Sequence, residues 1–462
     1  MRLARPRLRM RPRTRDRELR LLTVVALAMG AGWVSLSSTR SGGLSIGDPV
    51  PVVCWLLGML GVHVAFVISG RDLDQVLLPV VGILGGISLL FMERLPQGLV
   101  VQRFGDRTLM LGDLQLLWLL LGLGLLGVTA ISVRSVRWLR EYRYTWAALG
   151  IGLLAAVFLL GDEVNGARLS MHIGPFSGQP SELLKVILVV FLAAYLADNR
   201  PMLARSSMRL GIIRLPPLAY LLPMLATWGV ALALVIIQKD LGAALLLFSV
   251  FLALLYIATR RGSYVVVGLV LFFVGAAVLY GVLGHVRARV DIWLDPWADP
   301  LGAGYQVIRA LYAFGRGGIL GTGLGAGLPT VDGVAAIPLI HTDFVFAAVG
   351  EELGLLGALA VGTCYLILAE RGMRIAARAP DEFQALLAAG LTLVIVLQAA
   401  LIMAANLRLV PLTGVTLPLI SYGGSSILTN ALVVGSLLAL SDRTAVRGVP
   451  APTVRIARSA VA

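Results

Sequence analysis

The chain has 462 residues, of which 58% are hydrophobic and only 14% charged. A soluble domain of that length needs far more charge to cover its surface, so an ordinary soluble enzyme is excluded and the bilayer is the solvent. A formal charge of +14 would suggest nucleic acid in a soluble protein; here the basic residues fall where membrane topology wants them, and no nucleic-acid partner is expected.

Apolar runs long enough to cross a hydrocarbon core recur along most of the chain, which predicts an all-α, polytopic transmembrane helix bundle and not a barrel. Residues 1–20 hold nine arginines with no clear cleavage site behind them, and read as a basic cytoplasmic tail in contact with anionic membrane lipids. About twelve spans follow, near 21–37, 50–69, 76–92, 114–133, 145–161, 182–198, 217–236, 241–258, 263–284, 343–369, 384–405 and 423–441. The third is short, and only Gln238, Lys239 and Asp240 separate the seventh from the eighth. Cys54 and Cys364 sit inside apolar runs as packing residues. The transmembrane domain is thus 21–441, with a second cytoplasmic tail at 442–462.

Charge sets the orientation. With the N-terminus inside, 27 of the 39 Lys and Arg fall on inner segments, 11 on outer ones, and Lys185 within a span. Short arginine-rich connections on one side place both termini in the cytoplasm. The long loop 285–342, between spans nine and ten, is then extracytoplasmic, and loops of that length in compact proteins carry function or disorder. No internal repeat is evident, which weakens a transporter built from inverted halves.

The same loop carries Asp291, Asp295 and Asp299 in the string DIWLDPWADPLGAGYQ. These can be a solvated acidic stretch whose Pro296 and Pro300 stop helix formation. They can equally be carboxylates partly desolvated by Trp293 and Trp297, which would strengthen a general base. The Gly-rich run Gly315–Pro329 lacks a P-loop lysine and reads as a mobile loop gating entry. Glu182 and Lys185, spaced i, i+3, lie inside a span where an unpaired charge costs about 3 kcal/mol; they form a structural ion pair or the wall of a wet cavity. His341, Thr342 and Asp343 open the tenth span as cavity-lining or helix-capping residues, and Glu351 and Glu352 deeper in it need a protein or water partner.

DPWADPLGAGYQ, Asp295 to Gln306, resembles the signature of the SEDS family, the RodA and FtsW group that builds bacterial cell wall. Four further stretches agree in order: NGAR at Asn165 leading into GPFSGQPSELLK at Gly174, DLGAALL at Asp240, HTDFVFAAVGEELGLLG at His341, and PLTGVTLPLISYGGSS at Pro411. The resemblance covers about Leu114 to Asp442. Family members have ten spans, so the first two here look like an N-terminal extension of a RodA-like member. The resemblance implies a peptidoglycan glycosyltransferase that polymerises lipid II, an undecaprenyl-pyrophosphate disaccharide-peptide, by an inverting displacement. It makes Asp299 the general base or the ligand of a divalent cation (Mg or Mn), with Asp295 second. Arg289, Arg168 and Lys239 become candidates for the leaving pyrophosphate. Glu182, Lys185, Asp240, Gln306, His341, Thr342, Asp343, Ser421, Tyr422, Ser425 and Ser426 become the remaining substrate-site candidates. A class B penicillin-binding protein is the implied transpeptidase partner. A precursor flippase and a non-catalytic scaffold for that transpeptidase are the alternatives. Departures from the family pattern fall at Leu169, Ser170, Gly178, Lys239, Arg309 and the short connection 406–410.

Overall fold

A computed structural model describes residues 14–442, other than 105–106, 165–166, 174–175, 205–207, 211–212, 216–217, 328–329, 332–333 and 336. Most of the predicted basic tail and nearly all of the second tail lie outside the described residues. The helices are α1 (Asp16–Ser41), α2 (Val50–Ser69), α3 (Leu77–Arg94), α4 (Leu111–Ser132), α5 (Arg137–Glu141), α6 (Arg143–Leu160), α7 (Pro180–Ala204) and α8 (Leu218–Ile237). They continue as α9 (Leu241–Thr259), α10 (Gly262–Val282), α11 (Gly284–Leu294), α12 (Tyr305–Gly317), α13 (Val345–Glu352), α14 (Gly354–Ala377), α15 (Glu382–Asn406) and α16 (Gly424–Ser441). Among the described residues, 11 helices are long and apolar enough to cross a bilayer. α8, with a shorter apolar stretch at Leu222–Ile237, fills the predicted seventh span.

Four features differ from the sequence reading. α1 starts at Asp16, so residues 15–20 belong to the bundle and not to a tail. Arg15 and Glu18 are 3% and 0% exposed because they neutralise each other: Arg15 Nη2 lies 2.5 Å from Glu18 Oε2, and His63 Nδ1 on α2 lies 2.7 Å from Glu18 Oε1. Arg15 also donates to the carbonyls of Leu73 and Asp74, which fastens α1 to the entry of α3.

The predicted tenth span is two helices, α13 and α14, separated at Leu353 by Gly354 in the left-handed region (φ +64°). Two consecutive glutamates stand immediately before the break. Glu351 pairs with Arg316 at 2.8 Å and Glu352 with Arg94, which directs both away from lipid. The Gly-rich run, expected to be a mobile gate, is instead pinned onto this break. Thr322 N donates to Glu351 O, Gly323 N to Glu352 O, Gly325 N to Glu352 Oε2 and Leu355 N to Gly318 O. A Cβ on Gly354 would stand 2.3 Å from Gly321 N, so only glycine permits the approach.

The long loop is more ordered than its prolines suggested. It contains α11 and α12, the latter burying Val307, Ile308, Ala310 and Ala313 on one face. Short antiparallel hairpins, within 101–110, 162–178, 208–215 and 330–335, occupy connections; none is anticipated from helical periodicity.

α3 is the most enclosed span, 83% of its apolar window being buried. Its glycines admit the first two helices: a Cβ on Gly85 would meet Trp55 at 2.6 Å, and one on Gly86 would meet Met29 Sδ at 2.1 Å. The arginine-rich connections gather at one end of the bundle. Arg71 bonds Asp442 at 2.7 Å and the carbonyls of Ile131 and Val133, Arg371 faces Asp74, and Arg200 joins Ala258 O to Glu382.

Candidate active site

Asp299 ends a single 3-10 turn, Pro296–Ala298, whose first N–H groups are capped by Asp295 through Trp297 N at 3.0 Å. The Asp299 carboxylate then folds forward. Oδ1 accepts from Gly302 N at 3.1 Å and Oδ2 from Ala303 N at 2.8 Å, while its carbonyl accepts from Gly304 N. A Cβ on Gly302 would lie 2.3 Å from Oδ2, and one on Gly304 would lie 1.9 Å from Pro296 O. The motif DPLGAG is therefore a turn wrapped around one carboxylate, and its glycines are there because backbone and carboxylate approach too closely for a side chain.

Of the two readings of this acidic stretch, the solvated one holds. Asp291, Asp295 and Asp299 are all exposed. Trp297 is itself exposed and packs towards Tyr312, and Trp293 turns away to donate its Nε1 to Arg408 O at 3.1 Å. Asp291 accepts from the Tyr280 hydroxyl.

A second group of the predicted residues converges where α7, α9, α15 and the Pro411–Ser426 segment meet. Lys185 Nζ lies 2.8 Å from Glu182 Oε2 and donates to Gln398 Oε1 at 2.7 Å. Gln398 Nε2 donates to Thr416 O, and Thr416 Oγ1 meets Ser426 Oγ at 2.6 Å. Asp240 caps α9 through Ala243 N at 3.0 Å and accepts from Ser181. Arg289 donates from Nη1 to the carbonyls of Leu412 and Thr413, each at 3.1 Å. Next to it, Gly414 has φ +68°, and a Cβ there would lie 3.8 Å from the Arg289 guanidinium and 3.9 Å from Asp343 Oδ2. The two side chains therefore flank one backbone point without a direct ion pair.

Electrostatics follows from this geometry. In the connection before α13, burial pushes the Asp343 carboxyl up to about 6; the Thr342 hydroxyl and the Arg289 charge oppose the rise, and Asp240 adds to it. Burial lowers His341. His285 on α11 is lowered by burial first and then by Lys239 and Arg289, which places both cations within electrostatic reach of one ring. Three carboxylates (Glu182, Asp240, Asp343) thus form a cluster with Lys185 and Arg289, with the exposed Lys239 beside it. Glu182 and Lys185, both buried, persist there because each is the other's counter-charge.

Two of the motifs noted in sequence are stitched together here. Tyr422 N donates to His341 O at 2.8 Å, Ser421 Oγ donates to Thr342 O, and Leu417 N donates to Ser421 Oγ. Thr342 Oγ1 is directed to Leu339 O and Phe344 is the N-cap residue of α13, so the alternative of a capping role for Thr342 or Asp343 is not realised. Gln306 and Ser425 are half-buried on the first turns of α12 and α16, and Lys239 is exposed in the α8–α9 turn. The backbone of Arg168 pairs with Glu163 in a hairpin; its side chain lies outside the described residues. The predicted residues thus fall into two groups, the exposed Asp295–Asp299 turn and the Glu182–Asp343 cluster. Gln398, Thr413 and Thr416 belong to this cluster and were missed; Gln398 was detectable as a lone amide inside an apolar run.

Among the described residues, no three or more His, Cys, Asp or Glu side chains are grouped to hold a metal ion. A hard divalent cation bound by one carboxylate and substrate phosphates would still suit Asp299, whose exposed oxygens keep lone pairs beyond those taken by Gly302 and Ala303.

A cluster of ionic and amide side chains enclosed by apolar helices, in a chain with 11 helices long enough to cross a bilayer among the described residues, defines a polytopic membrane protein. The profile of the FtsW/RodA/SpoVE family, described as cell cycle protein, matches residues 74–445, and the chain belongs to that family. The match leaves α1 and α2 outside. The peptidoglycan glycosyltransferase RodA of Mycobacterium tuberculosis is 40% identical over 371 residues, 80% of this chain and 78% of the relative. The enzyme of the same name from Mycobacterium leprae is 38% identical over 368 residues, 80% of this chain and 77% of the relative. A solved structure described as coordinating polymerization and crosslinking by a peptidoglycan synthase complex aligns at TM-score 0.63 and 27% identity, covering 80% of this chain and 98% of that one. The Thermus thermophilus rod shape determining protein RodA shares the fold at TM-score 0.55 and 24% identity, over 80% of this chain and 97% of the other.

Proposed function

We infer that this chain is a bacterial peptidoglycan glycosyltransferase that polymerises lipid II on the extracytoplasmic face of the cytoplasmic membrane. Relatives of that name at 40% identity support the activity, and the Asp299 turn supports the chemistry. An exposed carboxylate held by two backbone N–H groups has fixed direction and free lone pairs, as a base facing a diffusing acceptor requires. In the proposed step the 4-hydroxyl of the acceptor GlcNAc attacks the anomeric carbon of the donor MurNAc. The new C–O bond forms as the bond to lipid pyrophosphate breaks, with inversion, and the hydroxyl proton passes to Asp299 late in the displacement. The negative charge that develops on the pyrophosphate is met by Arg289, with Lys239 behind it. In the alternative role Asp299 would hold a divalent cation in place of taking the proton, and that cation would supply charge neutralisation at the pyrophosphate.

A class B penicillin-binding protein fits as partner, because the described residues contain no separate soluble domain for cross-linking, and the neighbouring structure is of a complex that couples the two activities. One observation favours transport of the lipid-linked precursor instead: the polar series Lys185, Gln398, Thr416 and Ser426 runs through otherwise apolar helices. Purified protein in lipid II liposomes decides between the two. Glycan chains formed by wild type and lost in Asp299→Ala, with the variant inserted and folded, support the enzyme. Movement of lipid II by both proteins with no chains formed would overturn it.

A further inference from the structure

The C-terminal end of α15 touches both halves of the site. Asn406 accepts from Ala347 N and donates Nδ2 to the carbonyl of Asp343 at 2.8 Å. Two residues on, Arg408 donates Nε to Trp293 O at 2.8 Å and Nη2 to Leu294 O, and its own carbonyl accepts from Trp293 Nε1 at 3.1 Å. Trp293 and Leu294 end α11, immediately before the Asp295–Asp299 turn. A guanidinium there satisfies carbonyls that a helix end leaves without partners, and complements the negative end of the helix dipole.

Arg408 does this from a backbone conformation that side chains resist. Its φ is +58°, in the left-handed region that glycine occupies without penalty. Non-glycine residues persist there when their surroundings over-determine them, and such positions concentrate at functional sites. Here the surroundings are three hydrogen bonds to a single segment. The same conformation also closes α15 with a left-handed C-terminal turn, Arg408 N donating to Ala405 O and Leu409 N to Ala404 O, while the flanking Leu407 and Leu409 are exposed.

We propose that Arg408 is a positioning residue for polymerisation, which with Asn406 fixes the Asp299 turn in register with the Asp343–Arg289 cluster. The acceptor sugar at the turn and the donor pyrophosphate at Arg289 are then held at one spacing, the condition for an in-line displacement. Arg408 touches neither substrate; it acts through the end of α11. The assignment rests on the glycosyltransferase reading for its catalytic meaning, while the mechanical link can be measured without it.

Arg408→Gly removes the guanidinium and relieves the backbone at once, so it separates positioning from stability. Expected are an unchanged or raised melting temperature, faster amide exchange in 291–304, and a polymerisation kcat lower by about tenfold or more with KM for lipid II within about twofold. Arg408→Lys should recover part of kcat, and Trp293→Phe, which leaves the guanidinium in place, should fall between. Unchanged exchange in 291–304 for both Arg408→Gly and Trp293→Phe overturns the link. Faster exchange with unchanged kcat overturns the catalytic role. If wild type makes no glycan the glycosyltransferase reading fails, and the exchange measurement alone then decides whether the link exists.

Discussion

Replacing Lys185 by methionine keeps the length and apolar stem of the side chain but leaves Glu182 without its counter-charge. Both residues are buried, at 5% and 2% exposure, and the pair distance is 2.8 Å. Truncating one partner of a buried pair costs about 3–5 kcal/mol, because the stranded charge keeps its desolvation penalty and loses its attraction. Gln398 Oε1 also loses its donor. Against a total stability of roughly 5–15 kcal/mol, that loss should lower the unfolding midpoint by several degrees in one detergent at fixed pH. Glu182→Gln combined with Lys185→Met removes the stranded charge, and the double variant should regain at least about 2 kcal/mol over the sum of the single losses. Polymerisation by the double variant then separates the two sequence-level readings: a stable but inactive protein makes the pair part of the substrate wall, and a stable active one makes it structural. A Lys185→Met protein as stable as wild type, or strictly additive losses, would refute the reasoning.

Gly302→Ala should cut polymerisation by about tenfold or more with little change in melting temperature, because its Cβ would displace the Asp299 carboxylate from an exposed turn; wild-type turnover would show that the carboxylate direction does not matter. Arg289→Ala should slow polymerisation less than Asp299→Ala does, and Arg289→Lys should restore little, since one ammonium cannot reproduce both the carbonyl bonds and a facing phosphate contact; unchanged turnover in the alanine variant demotes it. Folded Asp343, at about 6 against an ordinary 3.8, holds its proton more tightly than the unfolded chain. Its contribution to stability is therefore fullest below 3.8 and is lost as pH rises to about 6. Asp343→Asn should flatten that decline in unfolding midpoints measured across the window, and an unaltered slope would place the titration elsewhere.

The spans were legible because twenty or so apolar residues must be helical in lipid; every predicted span has its helix. The break in the tenth was not, although Glu351 and Glu352 in succession carried a hint. Its cause is tertiary, a glycine run that only the folded bundle brings to Gly354. The start of α1 was misplaced for a similar reason: Arg15 and Glu18 look like tail residues until His63, far along the chain, is set beside them. Within the site, residue types pointed to Asp299, but neighbouring tryptophans in sequence did not mean a covered carboxylate, since Trp293 is held by Arg408. The gathering of Arg289, Asp343 and Asp240 around the Thr413–Gly414 backbone spans more than a hundred residues of chain, and no local pattern announces it.

The glycines of α3 have a consequence for protein engineering. Gly82, Gly85 and Gly86 form a notch shaped for Met59, Trp55 and Met29, and the last turn of α1 reaches the loop itself through Thr39 Oγ1 on Leu324 O at 3.1 Å. A shortened chain starting at residue 74, where the family match begins, would leave that notch for acyl chains to fill and would remove the contact at Leu324. Bulky residues at those three positions, harmless in a scaffold without the added helix pair, would here drive the pair off, so the two parts can only be exchanged together.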